Sequence, residues 1–143
     1  MSDGHVFVGF GFGPIQAGLF AREAFACGSF KRIAVAEIDR TLVDAVRAAG
    51  NGYGVNIAHS DGIVSERVNG VELLDPRDTS DRSALESALG EATEIATSLP
   101  SVNVYGVGGD AGVVALLARA LEQSRARGTI VYTAENNNHA AET

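Results

Sequence analysis

Along most of the chain, short continuous apolar runs alternate with stretches whose apolar residues recur every three to four positions. That is the rhythm of buried strands taken in turn with amphipathic helices. Residues 6–10 form such a run, unbroken as in a strand buried on both faces. A helical pattern opens at Pro14 and runs to Cys27, with Ile15, Leu19, Ala26 and the pair Phe20/Ala24 on one face and Gly28 placed as the C-cap. Residues 32–36 predict a second strand. Thr41 is placed to cap a helix over 42–49, with Leu42, Val43, Val46 and Ala49 inward and Gly50-Asn51-Gly52 ending it.

The pattern then changes to alternation. Residues 53–58 and 63–68 read as half-exposed strands joined by a turn at Ser60-Asp61-Gly62. Asn69-Gly70 is a two-residue hairpin signal that would return the chain antiparallel through 71–74. Helix and strand resume with a helix over 81–89 (Ser80 or Thr79 as cap, Leu85, Ala88 and Leu89 apolar) and a strand over 94–98. An irregular glycine-rich stretch follows over 101–109. Asp110 would cap a long helix over 111–127 with a broad apolar face, Val113, Val114, Leu116, Leu117, Ala120 and Leu121. A last strand over 129–134 leads into Glu135-Asn136. The expected fold is α/β, a doubly wound, mainly parallel, Rossmann-like sheet with a small antiparallel hairpin insertion.

Length and composition narrow the class. The 143 residues suffice for one well-buried domain, taken as 1–143, and are too few for two. A net charge of −7 argues against nucleic-acid or anionic-membrane partners. A single cysteine, Cys27, excludes an intramolecular disulfide and fits a reducing compartment, and no apolar run approaches a membrane span. A soluble, cytoplasmic protein is expected.

The chemistry concentrates where the first strand meets the first helix. Strand, glycine turn and helix in that order cradle a dinucleotide pyrophosphate: one glycine makes the tight turn, the next lets backbone approach phosphate, and the helix N-terminus faces the anion. Two registers fit. One starts at Gly9 and puts Pro14 where a third glycine belongs; the other reads Gly11-x-Gly13-x-x-Gln16, keeps the strand's length, sets Pro14 at the first helical position and is preferred. Its third position is Gln16 instead of glycine, and Gly18 is the candidate to supply the small residue against the strand. Glu37 ends the second strand about 20 residues farther on, where an acid accepts hydrogen bonds from the adenosine ribose of NAD. Asp39 is the fallback acceptor. Arg40 could instead pair with the extra phosphate of NADP, or with Asp39, or point to solvent.

The stretches Gly11-Phe-Gly-Pro-Ile-Gln-Ala-Gly-Leu-Phe20, Val35-Ala-Glu-Ile-Asp39, Tyr53-Gly-Val55, Val68-Asn-Gly-Val71 and Ala134-Glu-Asn136 resemble the amino-terminal domain of the mannitol dehydrogenase family, the polyol-specific long-chain dehydrogenases. The chain departs from the family pattern at Pro14 and Gln16. The resemblance implies an NAD(H)-binding domain of an oxidoreductase that moves hydride between nicotinamide and a sugar alcohol or its phosphate. The expected cofactor residues are Gly11, Phe12, Gly13, Pro14, Ile15 and Gln16 at the pyrophosphate, and Glu37, Ile38, Asp39 and Arg40 at the adenosine. Ser98, Leu99 and Pro100 would border the nicotinamide ribose, with Glu135 and Asn136 at the nicotinamide end.

The family draws its catalytic lysine, with asparagine and histidine partners, from a second, helical domain. No catalytic residue is therefore assigned to this chain, which is expected to be an excised domain or truncated product with no polyol turnover alone. Lys31, His5, His59 and His139 lack catalytic or metal-site spacing. The expected partners are NAD(H), a C-terminal substrate domain and, through surface that such a domain would cover, a second copy. A stand-alone NAD-sensing module and an S-adenosylmethionine-dependent methyltransferase, which also pairs a glycine turn with an acid after the next strand, remain as alternatives.

Overall fold

The computed structural model describes residues 4–124 and 128–143. Among the described residues, seven strands and four α-helices follow in the order read from the sequence: β1 (His5–Phe10), α1 (Ala21–Cys27), β2 (Phe30–Ala36), α2 (Arg40–Ala48), β3 (Tyr53–His59), β4 (Gly62–Val68), β5 (Val71–Leu74), α3 (Thr79–Glu91), β6 (Glu94–Thr97), α4 (Val113–Gln123) and β7 (Ile130–Thr133). Five strands make one parallel sheet in the order β5-β2-β1-β6-β7, while β3 and β4 form a separate antiparallel pair. The fold is α/β and Rossmann-like, with a hairpin.

β1 is the centre of the sheet, and its pleat sends alternate residues to two cores. Val6, Val8 and Phe10 face α3 and α4 with Leu85, Leu89, Ile95 and Leu116. Phe7 faces α1 and α2 with Ala21, Ala24, Val43 and Val46. Burial on both sides explains the unbroken apolar run.

Asn69-Gly70 does not close a hairpin. β5 runs parallel to β2 in the main sheet, Ile33 opposite Val71 and Ala36 opposite Leu74. Val71, Leu73 and Leu74 are buried, whereas most of β4 is exposed, so burying this apolar strand decides its partner over the local turn signal. Gly70 still takes positive φ, +72°, at a corner between the sheets. The true hairpin turn is Ser60-Asp61, with His59 opposite Gly62.

The caps shift as well. Asp39 caps α2, accepting from the Thr41 and Leu42 N–H groups, in place of Thr41. Asp78 caps α3, in place of Thr79 or Ser80. Asp110 sits in a 3₁₀ turn, Gly109–Ala111, and α4 begins after Gly112. The expected extension of that helix to Arg127 falls partly on residues 125–127, outside the described residues. Only Leu116 and Ala120 of its broad apolar face are buried; Val114 and Leu121 stay about half exposed, as does Ile130 on the edge strand β7.

The first helix differs most. It is helical from residue 14, but Gln16–Phe20 is a π turn that leads into α1. A π turn places residues five apart on one face. Gln16 and Ala21 are accordingly both fully buried, and Ile15 and Leu19, expected inward from α-helical spacing, are each 50% exposed. Among the described residues no helix is long and apolar enough to cross a membrane.

Candidate functional site

The strand order reverses between β1 and β6, since β1 continues to β2 on one side while the chain crosses later to β6 on the other. Such a reversal opens a crevice at the carboxyl ends of the strands. The glycine turn lies there. Gly9 is inside β1, paired with Val35 and Ala96, so the turn starts at Gly11. Gly11 has φ +81°, and a Cβ on it would stand 2.9 Å from the Ser98 carbonyl oxygen. Both facts require glycine. Gly13 is different: a Cβ there would meet nothing within 4 Å, leaving open space over an exposed backbone. Its carbonyl accepts the first helical bond from Ala17 N–H at 2.9 Å. Pro14 and Ile15 are exposed at the helix start, where N–H groups have no partner within the helix.

Gln16 lies flat against the sheet. Its Nε2 donates to the Ala96 carbonyl at 2.9 Å, and its side chain fills the volume that a Cβ on Gly9 would need, 2.2 Å from Nε2. The small residue that lets helix approach strand is therefore on the strand, at Gly9, and the large one is on the helix. Gly18, the residue expected to do this, faces open space. Gln16 Oε1 and Ser98 Oγ are both buried without a hydrogen-bond partner.

Glu37 follows β2 directly, its N–H on the Leu74 carbonyl at 3.0 Å. Its carboxylate reaches back to the glycine turn, accepting from Phe12 N–H at 2.8 Å, and takes Ile38 and Asp39 N–H at 2.7 and 2.8 Å on the other oxygen. Three of roughly four acceptor positions are thus in use, with one left on the oxygen that meets Phe12. Phe12 turns its ring the other way, edge-on to Tyr53 at 4.9 Å. Tyr53 in turn donates to the Ala17 carbonyl at 2.7 Å, inside the π turn, and burial pushes its phenol up to about 12.

Of the other expected adenosine residues, Ile38 is 58% exposed and Asp39 is occupied as the α2 cap. Arg40 is exposed at the surface, where it pairs with Asp44 at 3.0 Å and not with Asp39. A neighbouring pair escaped the sequence reading. Asp75 follows β5 as Glu37 follows β2; it is 5% exposed and binds Arg77 through both oxygens, at 2.9 and 2.8 Å. The bound guanidinium holds the Asp75 carboxyl below its usual range. An acid directly after a predicted strand was the available signal.

The residues assigned to the nicotinamide side separate. Ser98 N–H bonds the Phe10 carbonyl at 3.0 Å, which keeps the β6 end beside the glycine turn. Pro100 and Asn136 are exposed. Glu135 is 8% exposed, and its carboxylate is a clasp: it accepts from Thr97 Oγ1 at 3.0 Å, Leu99 N–H at 2.9 Å and Tyr105 hydroxyl at 2.6 Å. Burial and this carboxylate raise the Tyr105 phenol. The clasp fixes the loop after β6, a structural task the sequence did not indicate.

Lys31 pairs with Glu91 near the start of β2, at the opposite end of the sheet from the glycine turn. His5 packs on Phe30 and His139 on Glu142. Among the described residues no group of three or more His, Cys, Asp or Glu could hold a metal ion. An apolar groove of about 300 Å³ lies on the α4 face of β7, lined by Tyr105, Val114, Leu117, Val131 and Ala140. In comparisons with known proteins, no family model and no curated protein matches the chain.

Proposed function

We propose that this chain binds NAD(H) and serves as the cofactor domain of an oxidoreductase acting on a sugar alcohol or its phosphate. One observation carries the cofactor reading: the Glu37 carboxylate is hydrogen-bonded to the middle residue of the glycine turn, beside the reversal of strand order. That contact sets an acceptor for a ribose hydroxyl next to backbone on which a pyrophosphate could rest. The open space over Gly13 suits the phosphates. When bound, the nicotinamide supplies the hydride chemistry. The chain's own residues bind and orient: Gly11 and Gly13 hold the phosphates, Glu37 the ribose, and Ser98-Leu99 the far side of the crevice. Glu135 acts behind that loop, as its support.

The substrate class rests on the resemblance of the quoted motifs to the mannitol dehydrogenase family. A polyol oxidation also needs a proton acceptor at the reacting hydroxyl, which is typically worth about 10²–10⁴-fold in rate. That group would come from the helical domain the resemblance implies. The test is a fluorescence titration of the 143-residue chain with NADH, repeated in competition with S-adenosylmethionine. Saturable NADH binding that the Glu37→Gln variant weakens is the expected result. Binding of S-adenosylmethionine without NADH would replace this reading by the methyltransferase one.

A further inference from the structure

Resting on the NAD(H) reading above, we infer that Arg77 is the platform for the adenine ring, a flat cation set beside the ribose site by Asp75 and the Ile38 carbonyl. The base is attached to the ribose that Glu37 would hold, so it must lie near the carboxyl ends of β2 and β5, which are neighbours in the sheet. Two uncovered surfaces meet there. Ile38 is 58% exposed, and the Arg77 side chain is 57% exposed. They are joined directly, because Arg77 Nη2 donates to the Ile38 carbonyl.

The orientation of the guanidinium is what makes it a platform. Nε and Nη2 are both engaged in the plane of the group, by Asp75 and by the Ile38 carbonyl, so the plane is fixed. Bonds along its edge do not occupy the π faces of this 57% exposed side chain, and a planar, weakly hydrated guanidinium stacks on aromatic rings as an ammonium cannot. The support is itself braced. Arg77 N–H donates to Asp75 Oδ1, Asp78 N–H to the Asp75 carbonyl, and Asp75 N–H to Asp81, which pairs with Arg47 at 2.7 Å. A side chain held in place beforehand loses less freedom when a ligand arrives. Glu37 adds a favourable field at the guanidinium, consistent with their nearness.

A purine is the chemistry this surface recognises: a flat π-system with one apolar neighbour, attached to a ribose at a carboxylate. The competing role for an arginine here is to pair with a 2′-phosphate. The experiment therefore titrates the full chain, and its Arg77→Ala and Arg77→Lys variants, with NADH, ADP-ribose and NADPH. A platform under the base is shared by all three ligands, so Arg77→Ala should weaken each by a common factor of roughly 3- to 30-fold. Arg77→Lys keeps the charge without the flat face and should fall with the alanine variant; it also decides the matter if Arg77→Ala melts. Lysine binding like the native chain, or an alanine variant within twofold of it for NADH, would overturn the assignment. So would a loss confined to NADPH, which would make Arg77 a phosphate ligand. A native chain that binds none of the three overturns both this inference and the cofactor reading, whereas NADH binding indifferent to Arg77 overturns this one alone.

Discussion

Gly9 and Gln16 compete for one volume, and a double-mutant cycle of G9A, Q16A and the pair measures that competition. A methyl group at position 9 would lie 2.2 Å from Gln16 Nε2 and 2.6 Å from its Cδ, so the side chain must leave its site. Leaving breaks the 2.9 Å bond to the Ala96 carbonyl, worth about 1 kcal/mol net. Repacking the displaced amide in these fully buried surroundings costs about 1–3 kcal/mol more. Replacing glycine within a strand returns about 0.5–1 kcal/mol. G9A should therefore destabilise by about 1–3 kcal/mol. Q16A loses the same bond and some packing, but it also removes the buried unpaired Oε1, a relief of about 1–3 kcal/mol, so its net effect is small. In the double variant the new methyl meets no glutamine, and most of the overpacking disappears. The coupling energy should be about 1–3 kcal/mol, read from urea unfolding of the four chains. Additivity within about 0.5 kcal/mol would mean that the two residues do not share the space and that the helix start is placed differently.

Four further outcomes follow from the same contacts. NADH should bind at least about tenfold tighter than NADPH, because a charge-assisted bond to the remaining Glu37 acceptor contributes about 1.5–3 kcal/mol and a 2′-phosphate would replace it with repulsion; equal affinities in parallel titrations would remove Glu37 from the ribose site. Asp75 has a folded-state pKa below its ordinary 3.8, so its contribution is complete above that value and is lost as pH falls through the folded one. Asp75→Asn should flatten the acid limb of the stability–pH curve below about pH 4, and an unchanged acid limb would count against the Arg77 pairing. Tyr53 should ionise near pH 12, visible as a late phenolate absorbance step that Tyr53→Phe removes; a step at ordinary tyrosine pH instead would place its hydroxyl in water. The uncovered apolar side chains Val114, Leu121, Ile130 and Val131 should give concentration-dependent association in light scattering, and a monomer throughout would argue that this surface is tolerated bare.

The parallel sheet was legible because all of its strands but the edge strand β7 are largely buried and are marked off by glycine and helical periodicity. β1, β2 and β6 appear at nearly their expected bounds. What failed was pairing. Asn69-Gly70 states that the chain turns, but the partner of β5 is set by burial of Val71 and Leu73 against β2, a contact 38 residues away at Ile33–Val71 and invisible to local pattern. In the site, the positions of Gly11 and Glu37 could be read because strand, turn and acid spacing follow from how such a crevice is built. Gln16 could not be understood from spacing. It looked like a missing glycine until its partner, the glycine at position 9, was seen beneath it. The engagement of Glu135 by Thr97, Leu99 and Tyr105 likewise depends on three segments meeting, which no single stretch announces.

The π turn over Gln16–Phe20 has a mechanical meaning. On a regular α-helix, five residues advance the side-chain direction by about 140° beyond a full revolution. Gln16 and Ala21 could then not both point at the sheet. One end of the helix is fixed by the fit of Gln16 over Gly9, the other by Ala21 and Ala24 in the core, and the two anchor points are out of phase by about one residue. The wide turn absorbs the mismatch as a phase slip. It also offers the Ala17 carbonyl to Tyr53, so the hairpin is fastened at the same place. Deleting one residue between the anchors would bring them four apart, about 40° from eclipsed on a regular α-helix, so a uniform helix would keep both on the sheet. Inserting one would instead force a choice between Gln16 on the strand and the core end in its contacts. This segment should therefore tolerate the loss of one residue between the anchors far better than the gain of one.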